Sequence, residues 1–192
     1  MGRYPGKATC DVSGLLLDEL RPVLALNLTA AEAADADGLL NDSATNAADA
    51  KTYTDMLAQP PQARKLIFTP TAEADAGNIL VVGTDIDDNP ITDTVATSAA
   101  AAVYSAKAFK TVTSVTYPKD DGSITWDAGW TEAIGLPLKL AAAPFALEKF
   151  NGVVELGTAG TFTVDATELS KNIYDPNGNL DGAKPLQLLL FI

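Results

Sequence analysis

The chain has no histidine and one cysteine among its 192 residues, and both scarcities exclude chemistry. Without imidazole there is no Ser-His-Asp triad, no Cys-His pair and no histidine metal ligand. Cys10 cannot close an intrachain disulfide, and no residue beside it in sequence activates its thiol. It reads as a small packing residue in a protein made in a reducing compartment. Aromatic residues are few, at 7%, so a core must be built on Val, Ile, Leu and Thr. Basic residues are also few: 13 Lys and Arg stand against 25 Asp and Glu, for a net charge of −12. Such a field repels phosphate backbones, and no basic cluster interrupts it, so no nucleic-acid partner is expected. Long apolar runs are missing too. Leu15-Leu16-Leu17 is cut off by Asp18 and Glu19, and residues 1–5 lead into polar residues rather than a signal-peptide core. A myristoylation motif at Gly2 fails because Lys7 stands where Ser or Thr is required. No membrane partner is expected. No glycine-rich loop with a following lysine opens a helix, so nothing points to a nucleotide site.

What is present is a series of short β segments separated by Asp-, Asn-, Gly- and Pro-rich turns. Leu66-Ile67-Phe68-Thr69 ends at Pro70. Residues 78–84 form a second predicted strand, turned by Asp85-Ile86-Asp87-Asp88-Asn89-Pro90 into the alternating Ile91-Thr92-Asp93-Thr94-Val95. Residues 109–117 form the clearest strand, with Phe109, Thr111, Thr113, Val115 and Tyr117 expected on one face. A hairpin turn at 119–122 should carry it into residues 123–126. Further strands are predicted over 134–140, 152–156 and 160–164. Residues 186–192 are almost wholly apolar, which places them as a central strand or in an interface, with both faces out of water.

The expected fold is all-β: a jelly-roll-like β-sandwich over residues 30–192, preceded by an extended N-terminal arm over 1–29. Within the arm, Val23-Leu24-Ala25-Leu26-Asn27-Leu28 reads as a buried strand or one paired with a neighbour. One short helix over residues 44–57, capped by Asp42-Ser43 and stopped by Pro60-Pro61, competes with an acidic, Ala-rich surface loop.

Two carboxylate clusters invite a calcium reading. Asp85-Ile86-Asp87-Asp88-Asn89 alternates oxygens as calcium loops do, but Pro90 and Ala96 replace the required glycine and glutamate. Asp175, Asn177, Asn179 and Asp181 have the same spacing, but Leu186 holds the closing position. Both read first as turns, and no metal or other cofactor is expected. Trp126 and Trp130 lie close together and are expected to fill the core or cover an edge rather than line a sugar groove. Carboxylates distant in sequence can converge for glycoside hydrolysis, but with no catalytic constellation in view the chain is read as non-enzymatic.

Several runs together carry a family resemblance. These are Ala34-Asp35-Ala36-Asp37-Gly38-Leu39-Leu40, Gln59-Pro60-Pro61-Gln62-Ala63-Arg64-Lys65-Leu66, Gly77-Asn78-Ile79-Leu80-Val81-Val82-Gly83-Thr84-Asp85, Asn89-Pro90-Ile91-Thr92-Asp93-Thr94, Lys107-Ala108-Phe109-Lys110-Thr111-Val112-Thr113-Ser114-Val115 and Ile134-Gly135-Leu136-Pro137. Over residues 34–192, and most specifically over 77–115, the chain resembles a family of capsid decoration and minor structural proteins of tailed bacteriophages. The resemblance implies a virion protein on the capsid surface, made in the host cytoplasm. Its partner would be the phage major capsid protein, and it would act as a homo-oligomer, a trimer being one such assembly. The N-terminal arm has no counterpart in the resemblance. Leu15, Leu16 and Leu17 there are the expected partner-binding residues, ordered fully only against the capsid. A tail or head–tail component is the alternative within virions. A secreted carbohydrate-binding or adhesin module is the alternative outside them; it calls for a signal peptide and a clustered aromatic face, and the sequence displays neither.

Overall fold

The computed structural model describes residues 8–9, 16–17, 23–30, 32–120, 124–154 and 160–191. Its strands, in chain order, are β1 (Ala8–Thr9), β2 (Leu16–Leu17), β3 (Val23–Leu28), β4 (Asp35–Ala44), β5 (Lys51–Tyr53), β6 (Arg64–Pro70), β7 (Asn78–Thr84) and β8 (Pro90–Ala96). They continue with β9 (Val103–Phe109), β10 (Thr111–Tyr117), β11 (Thr125–Gly135), β12 (Phe145–Phe150), β13 (Val153–Val154), β14 (Thr161–Thr163), β15 (Ile173–Asp175) and β16 (Leu186–Phe191). The one helical element among the described residues is a 3-10 turn, Leu169–Lys171. The chain is therefore all-β and sandwich-like.

A six-stranded sheet is the spine, in the order β14-β15-β11-β6-β9, with β4 also paired to β11. Residues directly opposite in an antiparallel ladder share a face. One such row crosses the whole spine: Phe162 faces Tyr174, Tyr174 faces Ile134, Ile134 faces Arg64, and Arg64 faces Phe109. That inner face is covered by two separate four-stranded sheets. The first, β5-β10-β7-β8, closes a large core in which Ile79, Val81, Val95, Val112, Val115 and Tyr117 meet Leu66, Phe68, Trp126, Ala128 and Trp130. The second, β13-β12-β16-β3, packs Leu188, Leu190 and Ala146 onto Tyr174, with Leu24, Leu26 and Phe162 beside them.

The alternation of β6 explains its place. Arg64, Leu66, Phe68 and Pro70 are buried while Lys65, Ile67 and Thr69 are half-buried, the pattern of a strand with one face on a core. At the edge of the first sandwich, the Asp93 carboxylate on β8 accepts from the amides of Ala106 (2.6 Å) and Lys107 (3.2 Å) on β9, tying the two sheets together. At β4, a Cβ on Gly129 would lie 1.8 Å from the Asp35 carbonyl oxygen, so only glycine admits that strand.

Several expectations are corrected. Residues 44–57 hold no α-helix: β4 ends at Ala44, an exposed loop follows, and β5 pairs with β10. The Ala-rich composition favours helix locally, but Tyr53 is drawn into the sheet, where its hydroxyl donates to the Ala44 carbonyl at 2.7 Å. The expected single strand over 109–117 is two, broken at Lys110, because β9 belongs to the spine and β10 to the covering sheet. A register shift between Val112 and Ser114 then leaves Thr113 exposed while Val112, Val115 and Tyr117 are buried. The expected hairpin from β10 into residues 123–126 does not form as a pair: β10 pairs with β5 and β7, and β11 pairs with β4, β6 and β15. Residues 121–123, the end of that turn and the start of the expected strand, lie outside the described residues. The strand expected over 134–140 ends at Gly135 as the end of β11, and part of that expected over 152–156 also falls outside the described residues.

Within the segment read as an arm, Val23–Leu28 is an edge strand of the second covering sheet, hydrogen-bonded along its whole length to β16. The C-terminal strand β16 lies centrally, between β12 and β3, as its composition led us to expect. Its two faces differ, however. Leu186, Leu188 and Leu190 are buried, whereas Gln187 and Leu189 face outward. Leu188→Ala is therefore expected to cost about 2–5 kcal/mol, and Leu189→Ala about 1 kcal/mol or less. Equilibrium denaturation of both variants checks this, and equal losses would mean that both faces are sealed.

Candidate interaction surfaces

The outer face of the second covering sheet is apolar where most outer faces are polar. In register, Phe145, Phe191 and Val23 form one row, and Leu147, Leu189 and Ala25 the next. Lys149, Gln187 and Asn27 form the third. Phe145 is 66% exposed, Val23 51% and Leu189 36%. Phe145 and Phe191 meet with centroids 5.5 Å apart and ring planes tilted by 53°. They also wall one end of a shallow groove of about 290 Å³ lined by Lys139, Ala141, Ala142, Ala143 and Pro144. No acidic side chain belongs to these rows, although Asp and Glu number 25 in the chain.

Directly beneath this face, Glu148 of β12 is fully buried, pointing inward between Leu147 and Lys149. Its Oε2 accepts from the Tyr174 hydroxyl, from the Gly160 amide (3.3 Å) and from the Asn177 amide (3.2 Å). Its Oε1 has no partner among the described residues. Burial, reinforced by the neighbouring Glu148 carboxylate, pushes the Tyr174 hydroxyl well above its ordinary pKa.

A second surface lies on the opposite side of the spine. A polar groove of about 500 Å³ crosses β9, β6, β11, β15 and β14, lined by Tyr104, Lys65, Thr131, Glu132, Thr161, Thr163, Ile173 and Asp175 among others. The register shift in β11 between Trp130 and Ile134 brings Thr131 and Glu132 to this face. Thr131 spends its hydroxyl internally, donating to the Lys65 carbonyl (3.1 Å) and accepting from the Ala133 amide (3.2 Å). Glu132 accepts from the Leu180 amide at 3.1 Å. Burial raises its pKa, and the nearby Asp175 carboxylate adds to the rise, while the Leu180 amide and the Arg64 guanidinium oppose it.

Of the expected partner-binding residues, Leu15 lies outside the described residues, and Leu16 and Leu17 form β2, paired with β1. The four calcium candidates have separate tasks. Asp175 lines the polar groove, the Asn177 amide serves Glu148, and Asn179 is exposed. Asp181 accepts from the amides of Ala183 and Lys184 and pairs with the Lys184 ammonium at 2.7 Å. Those contacts, the Lys184 side chain foremost, hold its pKa down to about 2. Among the described residues no group of three or more His, Cys, Asp or Glu is placed to hold a metal ion. The Asp85 loop is likewise a turn, with one carboxylate oxygen accepting from the Asp87 and Asn89 amides, both at 2.9 Å. Trp126 and Trp130 are core residues.

Sequence reasoning missed Glu148, Glu132, Tyr104 and Arg64. A signal existed for Glu148: in Phe145-Ala146-Leu147-Glu148-Lys149-Phe150, period two puts it on the face of Ala146 and Phe150. Comparison of the chain with known protein families, curated proteins and solved structures finds no match in any of the three.

The raised Glu132 carboxyl has a stability consequence with a definite sign. Below its usual value of 4.5 the folded and unfolded chains are both protonated there. As pH rises from 4.5 through the raised folded value, the unfolded chain releases its proton first, and folding loses stability. Glu132→Gln removes that loss. The variant is expected to melt above the parent at pH 7, with the gap closing once the pH falls below 4.5. Thermal melts across that range check it, and a gap independent of pH would contradict it.

Proposed function

We propose that this chain is a virion structural protein of a tailed bacteriophage, a capsid decoration subunit that holds the outer capsid lattice without covalent bonds. The virion setting comes from the sequence resemblance. The observation that carries the mode of action is the apolar outer face of β12, β16 and β3. With strands about 4.8 Å apart and residues about 3.3 Å apart, the two apolar rows cover roughly 200 Å², edged by the polar row of Lys149, Gln187 and Asn27. The alanine-lined groove beside Phe145 and Phe191 extends this apolar area. The two rows are well below the roughly 800 Å² per partner of a stable pair. One copy would thus hold weakly by this face alone, and linked copies would hold firmly through effective concentration. That arithmetic favours a homo-oligomer whose copies each meet the major capsid protein.

Charge supports the same face. An acidic subunit repels others of its kind over most of its surface, while here the contact rows carry Lys149 and no acid. Phe145→Ser combined with Leu189→Ser is expected to leave the melting temperature within a few degrees and to lower capsid affinity about tenfold or more, as loss of a contact centre does. Co-sedimentation of purified protein with undecorated capsids measures it. Unchanged attachment would reject this face, and binding to tails instead of capsids would favour the head–tail alternative.

A further inference from the structure

We propose that the polar groove across the six-stranded sheet is a binding site for a neutral oligosaccharide. This inference is independent of the virion reading, since it concerns the side of the spine away from the apolar face.

The groove's chemistry narrows its ligand. Its volume of about 500 Å³ falls in the range of small-molecule sites. An anionic ligand would meet Glu132 and Asp175 within a chain of net charge −12. A cation would meet Lys65 in the same groove, and no three-acid cluster is present among the described residues. A purely apolar ligand would leave the Thr161 and Thr163 hydroxyls and the two carboxylates desolvated and unpaired. What remains is a neutral molecule rich in hydroxyls, able both to donate to carboxylates and to accept from Lys65 and threonine.

The positions of the groups suit such a molecule. Thr161 is directly opposite Asp175, so a hydroxyl and a carboxylate stand side by side at one end of the groove, while Ile173, opposite Thr163, is buried. Thr161, Thr163, Asp175 and Tyr104 line the groove and are exposed, so their polar groups are open to solvent and to a ligand that replaces it. At the far end Tyr104 is 50% exposed, with the Lys65 ammonium 5.6 Å from its ring centre. The ammonium lies over one face of the ring, and the rest of the exposed ring offers an apolar contact for a sugar's C–H groups while Lys65 offers a donor for its hydroxyls. The groove crosses five strands on an open sheet face, which fits a chain of several sugar units better than a single one. Glu132 supports the same conclusion: the Leu180 amide holds one of its carboxylate oxygens at 3.1 Å, which positions the group in the groove wall to accept from a sugar hydroxyl.

The test is a titration of the isotope-labelled full chain with cellohexaose, maltohexaose and chitohexaose, followed by amide chemical shifts. At least one of the three should shift the amides of Thr161, Thr163, Glu132 and Tyr104 in a saturable way. Tyr104→Ala should weaken that binding about tenfold or more, the loss expected when a stacking platform is removed. Glu132→Gln should weaken it as well. A cooperative thermal melt and an otherwise unchanged amide spectrum of each variant show that it is folded, so that a loss of binding is not a loss of fold. The proposal is overturned if none of the three hexaoses perturbs these amides, or if the shifts fall elsewhere. It is also overturned if a folded Tyr104→Ala chain and a folded Glu132→Gln chain both bind like the parent.

Discussion

Everything in this structure leans on one row of residues across the spine, and on the charge at its centre. Phe162, Tyr174 and Ile134 are covered by the C-terminal sheet, and Phe109 by the larger sandwich. Arg64 stands between them, fully buried. Its guanidinium donates to the Thr131 carbonyl at 3.0 Å and the Glu32 carbonyl at 2.7 Å. Burial lowers its pKa to about 10, with Glu132 and Glu32 opposing, so it stays charged at neutral pH. A buried charge is tolerated only when it is fully hydrogen-bonded. Arg64 therefore fixes both partners: the irregular stretch of β11 that turns Glu132 into the groove, and the segment that leads from β3 toward β4. The junction of the two covering sheets, the polar groove and the course of the chain into the C-terminal sheet share that one side chain.

The two outer surfaces follow from this division. The C-terminal sheet can seal only one of its faces on the spine, which leaves Phe145, Val23, Leu189 and their neighbours on the other. The spine, covered on its inner face, leaves part of its outer face open beside a buried cluster of Ala63, Ala108, Ala133 and Ile173, and the open part carries Tyr104, Lys65, Glu132, Asp175 and the threonines of β14. One surface is chemically suited to another protein and the other to a hydrated ligand. They lie on different sheets, so either could be lost without the other.

Much of the fold was legible in the sequence because period-two alternation and turn residues are local signals. Asn78–Thr84, the Asp85 turn and the return strand pair as expected, and the terminal run lies centrally in its sheet. What failed was non-local. Nothing local in residues 103–117 tells which of two sheets each half joins; the first half pairs with Ile67 and Phe68 and the second with Val81 and Val82, both distant in sequence. The composition of residues 186–192 shows that they leave water but not that only one face does so. The candidate surfaces were the least legible. Tyr104, Lys65, Glu132 and Asp175 come from four strands far apart in sequence, and only the sheet order makes them neighbours.

The orientation of the subunit on its assembly is the most direct measure of how these surfaces are used. A reconstruction of virions carrying the protein, at a resolution that separates its sheets, would supply it. The account predicts β12, β16 and β3 lying against the capsid shell, with Phe145, Leu189 and Val23 covered and the groove around Tyr104 and Glu132 facing solvent. Density with the C-terminal sheet facing solvent and the groove side against the shell would contradict it.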